Sequence, residues 1–319
     1  MTMIKRGLAT VTVAVIAASF SAGARAQEFV NVLTGGTSGV YYPLGVALSN
    51  IYGKALPGAK ISVQATKASV ENLNLTQDGK GEIAFTLGDS LSQAWTGNTE
   101  AGFTKKLDKL RGISAIYPNY IQIVASGTSG IKTLADLKGK RISVGAPKSG
   151  TELNARAVLA AAGLKYADFS KVEYIDFGGS VDLMKNRQID VTLQSAALGV
   201  ASIRDLANSI EIVLLPIPAD VVKKIGDPAY FEVTVPANTY QGMAAAVPGV
   251  AVGNFLVTHS GVKADTVYAM TKALYENLDT MSAAHVAAKV IKLETATAGM
   301  PVPLHPGAER YYKEKGVLK

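Results

Sequence analysis

The 319-residue sequence contains no cysteine, which excludes a disulfide scaffold, a thiolate zinc site and a cysteine nucleophile. It has only three histidines, His259, His285 and His305, far apart and without H-E-x-x-H or other metal-ligand spacing. Charged residues make up 18% against 48% hydrophobic, a balance that excludes a disordered chain. Common enzyme signatures are missing as well. The stretch from Gly35 to Gly39 does not spell the dinucleotide fingerprint, and neither G-x-x-x-x-G-K-[ST] nor G-x-S-x-G occurs.

One apolar run is long. Lys5 and Arg6 precede apolar sequence from Leu8 to Ala22, and Ala24-Arg25-Ala26 follows. A charged segment, a short apolar segment and an A-x-A site form the pattern of a secretory signal peptide, residues 1–26. The alternative is a membrane anchor, but the run is shorter than the roughly 20 residues of a span and carries Thr10, Thr12 and Ser19. The expected mature protein, Gln27 to Lys319, is soluble and exported to the periplasm.

Charge shrinks with the leader. The whole chain carries 32 bases and 25 acids, +7; losing Lys5, Arg6 and Arg25 leaves 29 bases, or +4. The cluster Lys105, Lys106, Lys109 and Arg111 has no interleaved aromatics, so nucleic acid is not an expected partner.

Short β-rich runs alternate with helical spacing. The runs are Phe29–Leu33, Ile61–Ala65, Ile83–Leu87, Gly112–Tyr117, Ile121–Ala125, Arg141–Gly145, Val172–Phe177, Ile189–Gln194 and Ile210–Leu215. Leu44, Ala47, Leu48 and Ile51 fall on one helical face; Val267, Met270, Leu274 and Leu278 repeat that spacing after Asp265, a predicted N-terminal cap. Alternation of this kind gives an α/β fold with parallel-rich sheets covered by helices. Two lobes are expected, 27–120 plus 256–319 and 121–255. The chain would cross near Ile116–Tyr120 and return along Val250–Thr258.

Polar, glycine-rich segments occupy the strand-to-helix turns: Thr34–Tyr42, Ala68–Asn72, Gly88–Ser90, Gly145–Glu152 and Phe177–Ser180. Open α/β sheets bind ligands at the carboxyl ends of their strands. Helix N-termini there present N–H groups to anions. The same residues also serve as ordinary caps and tight turns.

G-T-S-G-V-Y-Y-P-L-G-V-A-L (Gly36–Leu48), S-V-E-N-L (Ser69–Leu73), D-L-K-G-K-R-I-S-V-G-A-P (Asp136–Pro147), S-G-T-E (Ser149–Glu152) and H-P-G-A-E-R-Y-Y-K-E-K-G (His305–Gly316) together resemble the TAXI family. These are solute receptors of tripartite ATP-independent periplasmic (TRAP) transporters, and the resemblance runs almost the full mature length. It implies a type II periplasmic binding protein fold, two α/β lobes joined by a β-strand hinge, monomeric and without cofactor or catalysis. Such a receptor captures a small carboxylate, such as glutamate, a related amino acid or 2-oxoglutarate, and delivers it to the membrane permease. By similarity Thr37, Gly39, Tyr41, Ser69 and Asp89 line the first lobe, and Ser149, Gly150, Thr151 and Glu152 the second.

Two departures bear on the ligand. Lys148 stands where relatives commonly have a small residue; it either pairs with a second carboxylate or sits solvated on the rim. Thr86-Leu87-Gly88-Asp89 lacks the glutamine frequent in relatives, and Asp89 and Glu152 are candidates to bind an ammonium instead. The rival readings are a receptor feeding a sensor or another transporter class, a secreted α/β hydrolase, which Ser149 without a neighbouring histidine does not favour, and a surface interaction protein.

Overall fold

The computed structural model describes residues 27–319; the leader read from the sequence lies outside them. The chain begins with β1 (Phe29–Leu33), α1 (Tyr41–Ala55), β2 (Lys60–Gln64), α2 (Ser69–Gln77), β3 (Ile83–Leu87) and α3 (Gly88–Thr96). A long β4 (Leu110–Ser126) follows. Next come β5 (Arg141–Ser143), α4 (Gly150–Ala161), β6 (Lys171–Glu173), α5 (Phe177–Lys185), β7 (Val191–Ala196), α6 (Ala201–Ser209), β8 (Ile212–Leu214), α7 (Ala219–Ile225) and β9 (Tyr230–Val235). The long β10 (Val247–His259) then leads to α8 (Ala264–Glu276), α9 (Leu278–Ala284) and α10 (Pro306–Glu314).

Hydrogen bonding orders the strands β2-β1-β3-β10-β4-β7-β5-β6, with β8 paired to β4 and β9 to β10. β1, β2 and β3 are mutually parallel, as are β5, β6 and β7, while β4 and β10 run antiparallel to their neighbours. Each long strand serves both halves. The C-terminal part of β10 pairs with β3 from Asn254 to Val257, and its N-terminal part with β9 from Val247 to Val252. β4 pairs with β10 from Leu110 to Ile121 and with β7 from Tyr120 to Ala125.

The sequence suggested two strands, 112–117 and 121–125, with a crossing between them; the structure has one continuous strand. Pro118 lies opposite Gly253, where the β4–β10 register shifts. Proline lacks an N–H for the ladder, and an irregularity in the facing strand accommodates it. The breaker signal marks the place where the two halves meet rather than the end of a strand. β9 was not read from the sequence, because its exposed Phe231, Glu232 and Thr234 obscure the apolar face.

The helical face of α1 behaves as its spacing requires: Leu44, Leu48 and Ile51 are buried against β1 and β3 side chains such as Val32 and Phe85. Each such side chain contributes about 1.5–3 kcal/mol of burial free energy. On α8, Val267, Met270 and Leu274 are buried, but Leu278 opens α9, and Lys263 rather than Asp265 occupies the cap position. His285 likewise lies just beyond α9, where its ring accepts from the Ala287 N–H. Of the three apolar clusters among the described residues, one covers β4, β5 and β7 with α4, another β3 with α2 and α3, and the largest runs along the opposite face beneath α1, α5, α6 and α8.

Candidate functional site

Strand ends place several helix N-termini around one cleft. Its cavity volume is about 60 Å³, and it is walled by residues from both halves of the sheet, among them Gly39, Tyr41, Ser69, Asn119, Ser149, Gly150, Thr151, Asp176, Phe177 and Ser195. Asn119 lies on β4; the others from the first half lie at the starts of α1 and α2, and those from the second at the starts of α4 and α5 and the end of β7.

On the first side, the S-V-E-N segment fixes its own loop. Asn72 donates to the carbonyls of Thr34 at 2.7 Å and Phe85 at 2.8 Å, tying the ends of β1 and β3 together. The Glu71 carboxylate accepts from the Lys67 N–H at 2.6 Å, and Thr66 Oγ1 from the Ala68 N–H at 2.9 Å. These bonds hold Ala68 at φ 70°, a left-handed conformation that costs a non-glycine residue free energy. Ser69 then accepts from the Leu87 N–H at 3.1 Å. Tyr41 stacks on Phe85 with centroids 5.0 Å apart, and its hydroxyl donates to Asn254 Oδ1 on β10.

The second side repeats the device. Lys148 sits at φ 62°, directly before Ser149, whose Oγ caps α4 by accepting from the Glu152 N–H at 3.1 Å. Asp176 caps α5 by accepting from the Gly179 N–H at 2.8 Å. The difference matters electrostatically: a carboxylate already neutralises the N-terminus of α5. Neutral Ser149 caps α4, whose first-turn Glu152 is paired with Arg156; α1 and α2 have no side-chain cap, and the first turn of α2 carries Glu71.

The halves are closed on each other. The Glu71 N–H donates to the Lys148 carbonyl at 3.2 Å, and Arg156 donates to the Glu100 carbonyl at 2.9 Å. Gly150 meets Ser69 so closely that a Cβ there would lie 2.6 Å from its Oγ. Below the cleft, Asp89 of α3 accepts from Asn154 Nδ2 at 2.7 Å and from the Tyr230 hydroxyl at 2.7 Å, both in the other half. Full burial pushes the Asp89 carboxyl up to about 6, against the opposing pull of the Tyr230 and Ser90 hydrogen bonds.

Gly39, Tyr41, Ser69, Ser149, Gly150 and Thr151 therefore come together at the cleft wall. Thr37, Asp89, Lys148 and Glu152 are not part of that wall. Thr37 and Lys148 are exposed at its margin, Asp89 is spent on the network beneath, and buried Glu152 is bound to Arg156 at 2.7 Å and to the Tyr166 hydroxyl at 3.0 Å. Both carboxylate oxygens of Asp89, and Oε1 of Glu152, already accept hydrogen bonds within the protein. Sequence reasoning did not single out Asn119, Asp176 or Ser195. Ser195 directly follows a recognised strand, the position where α/β sheets place binding residues, and that signal was available.

None of the three histidines lines the cleft. His305 caps α10 through Nδ1, and its Nε2 lies 3.0 Å from the Val262 carbonyl. Among the described residues no three His, Asp or Glu side chains form a metal-binding cluster, and no helix is long and apolar enough to cross a membrane.

Two α/β halves joined by two long strands, with a cleft ringed by helix N-termini, define the periplasmic-binding-protein fold. Solved structures agree. PhnD1 from Prochlorococcus marinus, in complex with methylphosphonate, superposes with a TM-score of 0.59 at 11% identity, covering 91% of this chain and 99% of that one. A structure described as a periplasmic transporter gives a TM-score of 0.54 at 13% identity, covering 92% and 95%. The chain belongs to the NMT1-like family, whose sequence pattern matches residues 32–316.

Proposed function

We propose that this protein is a periplasmic solute receptor of a TRAP transporter, which captures a small carboxylate between its lobes and presents it to the membrane permease. The lobes are 27–120 plus 256–319 and 121–255, hinged on β4 and β10. The observation that carries this reading is the convergence of α1, α2 and α4 on one cleft by N-termini that no charged side chain caps. Backbone N–H groups and dipole ends favour an anion there. Ser69 and Ser149 each use a lone pair on a backbone N–H, so a hydroxyl proton remains on each that can turn to a carboxylate oxygen. PhnD1 shows that the same fold can hold an oxoanion.

Binding at both walls stabilises the closed form by the differential affinity of the ligand, and the closed outer face is then what the permease reads. The TAXI-type motifs support a TRAP permease as the partner. A permease gene beside this one, of the multi-span TRAP type or of another class, separates those alternatives.

The test is native mass spectrometry of the purified protein, followed by a thermal-shift panel of glutamate, glutamine, 2-oxoglutarate and C4-dicarboxylates. A ligand at a hundredfold excess over Kd stabilises the fold by about 2.7 kcal/mol. No shift with any carboxylate would sink the substrate class.

A further inference from the structure

The walls of the cleft differ in hydrogen-bond polarity, and the cause can be traced residue by residue from a buried charge. Asp89 Oδ2 accepts two hydrogen bonds, from Asn154 Nδ2 at 2.7 Å and from Tyr230 at 2.7 Å. A carboxylate accepts only, so it turns the NH₂ end of the Asn154 amide toward itself. The amide oxygen must then face the other way, where Ser195 donates its hydroxyl proton to it at 2.7 Å. A serine has one proton, so Ser195, a cleft-wall residue, keeps only lone pairs for a ligand.

Asn119 adds to the same wall. Its Nδ2 donates to the Ser195 carbonyl at 3.1 Å, and its buried Oδ1 has no partner. A buried acceptor without a donor is costly unless something else supplies the proton. Asp176, on the wall as well, is a third acceptor. Ser69, Ser149 and the helix N-termini form the donating side.

We infer that the cleft selects a carboxylate that also carries an N–H donor, a 2-amino acid rather than the matching 2-oxo acid, with Ser195 and Asn119 as specificity-determining residues and Asp89 and Asn154 as positioning residues acting through Ser195. This rests on the carboxylate reading above. A keto oxygen placed against these acceptors would leave them unpaired, whereas an ammonium or amide satisfies them. Sites built to hydrogen-bond one polar group reject the analogue lacking it far more strongly than apolar pockets do.

The experiment is calorimetric titration of refolded, ligand-free protein with matched pairs: L-alanine and pyruvate, L-valine and 3-methyl-2-oxobutanoate, L-glutamate and 2-oxoglutarate. In whichever pair binds, the amino acid is expected to bind about tenfold or more tightly. Ser195→Ala should lower that ratio about tenfold, Ser195→Thr should restore it, and Asp89→Asn, which releases the Asn154 amide, should lower it in the same direction. Thermal melts establish that each variant is folded; a merely structural residue would weaken both members of a pair alike. Equal or tighter binding of the 2-oxo acid, or a ratio unmoved in folded Ser195→Ala, overturns the proposal and leaves the carboxylate reading standing. If no carboxylate of either kind binds, both fall.

Discussion

The Tyr41 hydroxyl, in the first turn of α1, donates to Asn254 Oδ1 on β10, and Asn254 Nδ2 in turn donates to the Tyr117 carbonyl on β4 at 3.0 Å. Asn254 lies where the β4–β10 register shifts, between Gly253 and Phe255. A cleft-wall side chain is therefore bonded directly to the irregular point of the two strands that join the halves. Burial pushes the Tyr41 hydroxyl far above its usual range, so it stays a donor at any physiological pH.

Tyr41→Phe deletes that donor and leaves Asn254 Oδ1 buried and unpaired. The expected loss of stability is about 1–3 kcal/mol, read from urea unfolding. The ring still stacks on Phe85, so the loss should come from the hydrogen bond and not from packing. A change below about 0.5 kcal/mol would show that water takes over the vacated position.

Gly150→Ala tests closure. Its Cβ would lie 2.6 Å from Ser69 Oγ and 2.6 Å from Leu87 Cδ1, across the junction of the two halves. The first turn of α4 itself tolerates alanine well, so unfolding stability should hold. We expect ligand affinity to fall about tenfold and small-angle scattering of the variant with ligand to show the larger radius of gyration of an open form. Unchanged affinity and radius would mean that the halves need not approach this closely.

Lys148→Gly separates a rim residue from a ligand contact. Lys148 holds φ 62° and has no ion-pair partner among the described residues. Relief of the left-handed penalty, less the greater freedom glycine brings to the unfolded chain, should raise stability by up to about 1 kcal/mol. Affinity should stay within about twofold. A larger drop, confined to dicarboxylates, would return Lys148 to the binding site.

Asp89 predicts a pH slope of unusual sign. Its carboxyl is raised to about 6 from an ordinary 3.8, so between those values the folded form holds a proton that the unfolded form has lost. Stability from this group is fully present below the ordinary 3.8, falls as pH rises toward about 6 and is flat above that. Asp190 works the other way: its hydrogen bonds from Arg141 lower its carboxyl, and its contribution is lost only as pH falls below the ordinary 3.8. Subtracting the unfolding free energies of Asp89→Asn from those of the wild type, pH by pH, isolates the first effect. A difference that does not slope downward between pH 4 and 6 would contradict the burial of an ionisable Asp89.

Local sequence determined much of this protein. The alternation of β-rich runs and helical spacing announced the α/β layers, and the α1 and α8 faces follow from apolar spacing that any neighbour in the chain can enforce. The S-V-E-N and S-G-T turns were legible because serine, asparagine and glycine act on backbone groups a few residues away. What tertiary structure alone decided lies between residues far apart: Tyr41 and Asn254 are separated by 213 positions, Asp89 and Tyr230 by 141. Asp89 and Glu152 looked like ligand-binding carboxylates beside glycine-rich turns; Asp89 is bonded by Asn154 and Tyr230 from distant segments, and Glu152 by Arg156 and Tyr166 from its own neighbourhood. Asn119 and Ser195 carried no motif and became wall residues only when β4 and β7 paired. Periodicity reports which face of an element is apolar; it does not report which distant donor will arrive to satisfy a buried acceptor, and in this cleft that pairing sets the chemistry.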